Sequence, residues 1–227
     1  MNFQGFPVAA LDFYEDLEMD NTRSFWDANK HIYQEAVRQP LLALLDAVAE
    51  EFGEGKVFRP HRDVRFSHDK SPYKLAGAAA IGDNSASSAI YYVQISAEGL
   101  FVASGIYMMT RDQLQRFYAA VDDETAGETL VDVVAQTRSA GLDVGGSELT
   151  TAPRGYPRDH PRIELLRHKS VTVSRTFGPD HQWLSTPRAL EEVVGVWRSA
   201  GPVNNWLAQH VGHPDERQVR AHRTPEA

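Results

Sequence analysis

The sequence predicts an α+β protein, with one largely antiparallel sheet flanked by helices. The first observation is a helical repeat of apolar side chains over residues 21–52. The second is a pair of alternating segments, 90–96 and 100–107, joined by a short turn that ends in Gly99. Strands that follow each other as a hairpin favour antiparallel pairing. No linker rich in proline and glycine divides the chain, so we predict a single domain over residues 3–210.

In the first third of the chain, the elements are read from the period of the apolar residues. The helix over 21–52 contains Pro40, which lacks an N–H and should kink it or begin a second helix. Val64 and Phe66 alternate with polar residues, which predicts a half-buried strand. Residues 76–89 are rich in Ala, Ser and Gly and predict a loop before the hairpin.

The later elements follow from start and stop signals. Thr110 and Gln113 match a capping box and predict a helix start. A helix over 124–140 should end at Gly141. The remaining predictions are a strand over 169–177, a helix from Pro187 to Gly201-Pro202, and a short helix around Trp206. Trp26, Tyr33, Trp197 and Trp206 stand at helical spacings and are predicted core residues.

Composition excludes several kinds of site. The 227 residues include no cysteine, which removes disulfides, cysteine metal sites and a thiol nucleophile. The formal charge of −8 argues against a general nucleic-acid coat protein, which would be basic. The N-terminus has no basic region or long apolar run, so we expect a cytoplasmic protein without a membrane segment. Residues 211–227 are polar and predict a flexible C-terminal tail.

The charge is concentrated in two basic segments. Residues 56–74 and 154–175 each hold six Lys or Arg against two acids, a net of +4. The rest of the chain holds 11 basic and 27 acidic side chains, a net of −16. An acidic body with two basic segments indicates a site for an anion that is built from two separated stretches.

The sequence also resembles a known family. The segment 62–74, RDVRFSHDKSPYK, looks like the signature of a widespread bacterial and fungal family of uncharacterised proteins, a domain of unknown function. The likeness continues in Gly5-Phe6-Pro7, in the first helix, in the segments 154–156 and 160–166, and in Gly201–Leu207. In the first helix it rests on Asn21, Trp26, Lys30, Tyr33 and Pro40. The resemblance implies a single α+β domain and supplies no activity or cofactor.

The candidate ligand-binding residues come from both basic segments. They are Arg62, Arg65, Lys70, Tyr73 and Lys74 from the first segment, with Tyr156 and Lys169 from the second. Arginine forks and lysine ammonium groups suit phosphate and carboxylate groups. The hypothesis is that the two segments meet and bind an anionic small molecule. His160 and Tyr73 are the candidates for moving protons, but the sequence does not decide whether the protein is an enzyme.

Several alternatives stay open. The arginines could instead form a structural network with Asp63 and Asp69. The same basic face could serve a non-catalytic module that binds nucleic acid or a protein. Two weaker patterns are Ser67-x-x-Lys70, in which lysine activates a serine, and an iron site from His61 and Asp63 with His160 or His168. We predict no metal site from these spacings.

Overall fold

The computed structural model describes residues 2–65, 67–82 and 89–215. Within these residues, the helices are α1 (Val8–Met19), α2 (Arg23–Ile32), α3 (Gln39–Phe52), α4 (Arg111–Asp122), α5 (Glu124–Ser139), α6 (Ile163–Leu166), α7 (Arg188–Ser199) and α8 (Gly201–His210). The strands are β1 (Gly55–Val57), β2 (Ala76–Ile81), β3 (Ile90–Ser96), β4 (Gly99–Ile106), β5 (Asp143–Gly145) and β6 (Val171–Phe177). The α+β class is confirmed.

The described strands form one antiparallel sheet in the order β1-β2-β3-β4-β6-β5. The register at one edge pairs Lys56 with Ala80, and the register at the other pairs Val144 with Val173. The predicted hairpin is confirmed as β3 and β4, and Gly99 adopts the positive φ expected of it, 104°. The short connection between β3 and β4 explains why these two strands pair antiparallel.

The chain divides into two compact units. The first comprises Met1–Ile81, Tyr92–Val102 and Thr176–Gly195, and the second comprises Gly82–Tyr91, Ala103–Arg175 and Val196–Ala227. The predicted single domain over 3–210 therefore stays a prediction. Each unit has buried apolar side chains of its own, such as Phe6 and Leu44 in the first and Phe117 and Leu130 in the second.

The long N-terminal helix changes its winding before Pro40. Between α2 and α3, residues Tyr33–Arg38 form a π-helical segment, and the Gln39 N–H donates to the Gln34 carbonyl. Because proline lacks an N–H and its ring crowds the preceding turn, a wider turn accommodates it without breaking the helix. Of the two outcomes expected at Pro40, a kink or a second helix, the structure shows the second: α3 begins at Gln39, directly after the π-helical segment.

Two local predictions were wrong. Residues 62–64 form no strand, and in this region His61 makes only an isolated bridge to Tyr73; Phe66 lies outside the described residues. Residues 76–81 form the strand β2 where a loop was expected. Within β2, position 77 requires glycine, since a Cβ on Gly77 would lie 2.3 Å from the Val37 side chain and 2.8 Å from the Tyr14 hydroxyl.

Tryptophans anchor the core of the second unit. The indole N–H of Trp197 donates to the Ala103 carbonyl at 3.1 Å, and that of Trp206 donates to the Ala126 carbonyl at 2.9 Å. Trp197, Trp206, Trp26 and Tyr33 are all buried, so their prediction as core residues is confirmed.

No helix in the described ranges is long and apolar enough to cross a membrane.

Residues 211–215 lie at the start of the predicted tail and contact α4. The Arg116 guanidinium donates to the carbonyls of Val211 and His213, and the Gln113 amide donates to the carbonyl of Gly212. Val211 is 1% exposed. The rest of the predicted tail, 216–227, lies outside the described residues.

Candidate functional site

The arginines of the segment 62–74, which we call the central motif, are paired with acids in their own loop. Arg65 forms a two-pronged ion pair with Asp63, with an Nη2–Oδ2 distance of 2.8 Å. The Arg62 guanidinium pairs with Asp69. These contacts favour the structural network over a ligand site for Arg62 and Arg65.

These ion pairs lower the pKa values of both carboxyl groups. The side-chain hydrogen bond from Arg65 lowers the pKa of Asp63 to about 2, and the Arg65 backbone N–H adds to the effect. The Arg62 guanidinium holds the pKa of Asp69 well below its usual range, with help from the Ser71 hydroxyl. Both acids therefore stay charged, and each neutralises an arginine.

Lys70 also has a local partner. Its ammonium donates to the Val64 carbonyl at 2.9 Å, which closes the loop around the motif. This contact gives the ammonium a backbone acceptor in place of the Ser67 hydroxyl that the Ser67-x-x-Lys70 pattern requires. The loop is thus held by Lys70 and by the two ion pairs.

Tyr73 and Pro72 are the motif residues that line a cavity beside α2. A cavity of about 690 Å³ in the first unit is lined by α2, the π-helical segment and the loop 57–61, together with Pro72 and Tyr73. Its volume lies in the range typical of small-molecule sites. Tyr73 is 3% exposed and stacks on Trp26, with ring centroids 4.3 Å apart and an angle of 11° between the planes.

Three rings form the floor of this cavity. Trp26 stacks on Tyr73, and its ring centroid lies 4.9 Å from that of Tyr33. Burial raises the pKa of Tyr33 and Tyr73, so both hydroxyls stay protonated near neutral pH and can donate hydrogen bonds. The floor therefore joins the first-helix and central-motif residues that carry the family resemblance.

Basic side chains surround the floor. They are Arg23, Lys30, Arg38 and Arg59, and the one acid among the lining residues is Asp27. In the described part of the chain, none of these four cations forms an ion pair with a carboxylate. The cavity thus carries an excess of positive charge that its own side chains do not neutralise.

The sequence analysis names none of these four residues as ligands, although Arg59 lies in the first basic segment. Arg23, Asp27 and Lys30 follow each other at helical spacing, so they share one face of α2. The signal that would have found them is this face of basic residues beside Trp26 and Tyr33. Charge density along the chain does not show this face, because residues on one face of a helix are three or four positions apart in the sequence.

Lys74 lines a neighbouring cavity of about 570 Å³ in the same unit. Its ammonium lies 5.7 Å from the centre of the Phe58 ring, and Phe58 lines both cavities. Burial lowers the pKa of Lys74, and the charge of Arg59 adds to this shift. Lys74 is thus near the basic cavity without being part of its lining.

The second basic segment lies in the second unit. Tyr156 packs edge-on against Tyr118, with centroids 5.9 Å apart, and Lys169 is exposed. Because the two segments belong to different units, the joint site that the sequence suggested stays a prediction.

Both ring nitrogens of His160 are occupied. Nδ1 accepts a hydrogen bond from the Arg162 N–H at 3.0 Å, and Nε2 lies 3.1 Å from the Asp122 carboxylate. In the neutral ring the proton therefore sits on Nε2 and is donated to Asp122. This arrangement favours a structural role for His160 over acid–base chemistry.

Arginines of this segment bind backbone carbonyls. Arg162 donates to the carbonyls of Val121, Asp122 and Asp123 at the C-terminal end of α4. Arg167 donates to the Leu149 carbonyl at 2.8 Å. Cations are favourable at helix C-termini, so Arg162 acts as a cap for α4.

His168 is buried, and burial lowers its pKa. Its Nδ1 lies 3.6 Å from the Glu148 carboxylate, too far for a hydrogen bond. Across the described ranges, no three His, Asp or Glu side chains are grouped as metal ligands would be. The iron site considered from His61 and Asp63 gains no support from this arrangement.

Comparison with known proteins gives a family and no relative of known activity. A comparison with curated proteins finds no match. The sequence model of a family described as conserved hypothetical protein (DUF2461) matches residues 9–206. This range contains α2, the central motif and the cavity between them. The chain therefore belongs to the DUF2461 family of conserved hypothetical proteins.

Proposed function

We propose that the protein binds an anionic small molecule, bearing phosphate or carboxylate groups, in the cavity between α2 and the central motif. The observation that carries the proposal is the set of four cations without an acidic partner around a cavity of about 690 Å³. Uncompensated cations in a concave site attract anions, because the surrounding protein screens their field less than bulk water does.

The proposed anion site lies beside α2 and not at the motif arginines Arg62 and Arg65. Arg62 and Arg65 already have carboxylate partners, so an anion would have to displace Asp69 or Asp63. Arg23, Lys30, Arg38 and Arg59 have no such competitor in the residues that the structure describes. Tyr73 keeps its predicted place in the site.

A small ligand is favoured over a nucleic-acid strand. Proteins that bind single strands present exposed aromatic faces on which bases stack. Here the rings of Trp26 and Tyr73 stack on each other and are 4% and 3% exposed. These two stacked rings therefore offer no open face on which a base could stack.

The test is a thermal-shift and calorimetric titration with inorganic phosphate and citrate at low salt. We expect both anions to raise Tm in a saturable manner, since a ligand that binds only the native state stabilises it. The double variant Lys30→Gln/Arg59→Gln should lose this shift. The control is Arg188→Gln, which removes an exposed arginine paired with Glu192 on α7 and should keep the shift. Equal shifts in the double variant and the control would overturn the proposal.

A further inference from the structure

The cations of the cavity stand apart from one another. Arg23 is the first residue of α2, and Arg38 is the last residue of the π-helical segment. At ~1.5 Å per residue, the Cα atoms of Arg23 and Arg38 lie roughly 20 Å apart along the helix. Lys30 lies between them on the same stretch of chain. The Cα atoms of these three cations therefore form a row along the helix, in contrast to a cluster around one point.

The row runs along the aromatic floor. Arg23 precedes Trp26 by three residues on α2, and Arg38 ends the π-helical segment that begins with Tyr33. Both cations line the same cavity as these two rings. Trp26 and Tyr33 therefore lie between Arg23 and Arg38 along the helix, so the two cations mark opposite ends of this part of the floor.

The π-helical segment contributes to this arrangement. Tyr33, Gln34 and Arg38 all line the cavity, and all belong to the segment 33–38. A π turn shifts the side chains that follow it around the helix axis relative to a regular α-helix. The segment thus helps to turn Arg38 toward the cavity that Arg23 and Lys30 line from α2.

We infer that the ligand of this cavity is a linear oligophosphate, either free or as the phosphate chain of a nucleotide. The inference rests on the proposed function and adds the shape and charge of the ligand. One phosphate group would reach one end of the row and leave the other cations unmatched. A chain of phosphates offers several charges along its length, each suited to an arginine fork or a lysine ammonium.

The experiment measures affinity by calorimetry for orthophosphate, pyrophosphate and tripolyphosphate at fixed ionic strength. We expect affinity to rise by about tenfold or more from orthophosphate to tripolyphosphate, because each added charged contact contributes binding free energy. Adenosine triphosphate and adenosine monophosphate distinguish the sources. Tighter binding of the triphosphate nucleotide than of tripolyphosphate identifies a nucleotide, and the reverse identifies the free chain.

Single variants at the two ends test the row itself. Arg23→Gln and Arg38→Gln should each bring tripolyphosphate binding close to that of orthophosphate, whereas Arg38→Lys should restore most of the gain. Asp27→Asn should strengthen binding, because it removes the one acid of the lining. Arg188→Gln is the matched control and should behave as wild type.

The outcomes separate this inference from the proposed function. If orthophosphate and tripolyphosphate bind equally, or the monophosphate nucleotide binds as well as the triphosphate, the oligophosphate inference is wrong and the anion site stands. If none of these anions nor citrate binds, both are wrong. If Arg38→Gln lowers Tm in the absence of ligand, the tripolyphosphate affinity of Arg38→Lys decides the test, because this variant keeps the charge and the packing.

Discussion

The side-chain amide of Asn21 makes both backbone hydrogen bonds available at Tyr73. Its Nδ2 donates to the Tyr73 carbonyl at 3.0 Å, and its Oδ1 accepts from the Tyr73 N–H at 3.1 Å. Asparagine has one donor group and one acceptor group at the right separation to pair with a peptide unit in this way. Asn21, two residues before α2, thus holds the end of the central motif at the cavity floor.

The first prediction concerns this amide. Asn21→Ala should lower the free energy of unfolding by about 1–3 kcal/mol, because it leaves a partly buried N–H and carbonyl without partners. It should also weaken anion binding, since Tyr73 is no longer held in place. Urea unfolding and a phosphate titration measure the two effects.

The control for Asn21 is Asn29→Ala on the same helix. Asn29 donates only to the Phe25 carbonyl within α2, so its loss should be smaller and should leave phosphate binding unchanged. Equal effects of the two variants on binding would contradict a specific link between Asn21 and the cavity.

The sequence allows the fold class to be predicted because the main elements carry strong local signals. The hairpin of β3 and β4 shows alternation, and α4 has its capping residues, with the Thr110 N–H donating to Gln113 Oε1 at 2.9 Å. β2 has no such signal. Gly77 in this strand is required by close packing against Tyr14 of α1 and Val37 of the π-helical segment, a tertiary constraint that composition cannot show.

The candidate site could be predicted only in part, because the sequence does not show which charged side chains pair with each other. Tyr73 was identified from the motif, but Arg62 and Arg65 were placed in the ligand set because the sequence shows charge without its partners. Asp63 is two residues from Arg65, and only the folded loop shows that the two side chains pair. Whether an arginine is free or neutralised depends on side-chain geometry, which a linear pattern does not determine.

The second prediction concerns the Asp63–Arg65 pair. An NMR titration of the Asp63 carboxyl group should show a midpoint near its lowered pKa of about 2. In Arg65→Gln the midpoint should return toward ~3.9, the ordinary value for aspartate. Because the folded-state pKa is depressed, any stability from the pair is present above the ordinary value and is lost as pH falls toward about 2.

Both side chains of this pair are exposed, so Asp63→Asn should leave Tm at neutral pH unchanged within error. Phosphate should not shift the Asp63 midpoint, since the anion is expected at the cavity. A midpoint that rises on addition of phosphate would show that the anion competes with Asp63 for Arg65. The anion site would then be at the central motif and not in the cavity.

The third prediction tests whether His160 has a structural role or an acid–base role. His160→Ala should lower the free energy of unfolding by about 1–2 kcal/mol, because it removes the acceptor of the Arg162 N–H and the partner of Asp122. It should leave phosphate affinity unchanged. His68→Ala, at an exposed histidine of the central motif, is the control and should change neither quantity. A His160 variant with unchanged Tm and altered ligand response would support the acid–base role.

The last prediction concerns the contacts between residues 211–215 and α4. A chain that stops after Asp215 keeps these contacts, including the Asp215 N–H that donates to Asp112 at 2.9 Å, and should be more stable than a chain that stops after His210. A chain that stops after His210 should lose about 2 kcal/mol or more. It lacks the carbonyls that bind Arg116 and Gln113, and it lacks buried Val211.

Arg116→Ala in the full chain provides the matched test, since it removes one side of the same contacts and should reproduce much of that loss. Thr129→Ala is a control on α5, where the hydroxyl makes only a local bond to the Thr125 carbonyl and is exposed. If the two shortened chains unfold at the same temperature, residues 211–215 contribute nothing to stability, and the contacts with Arg116 are only a surface feature. If the chain ending at Asp215 is already destabilised, residues beyond it contribute to the fold.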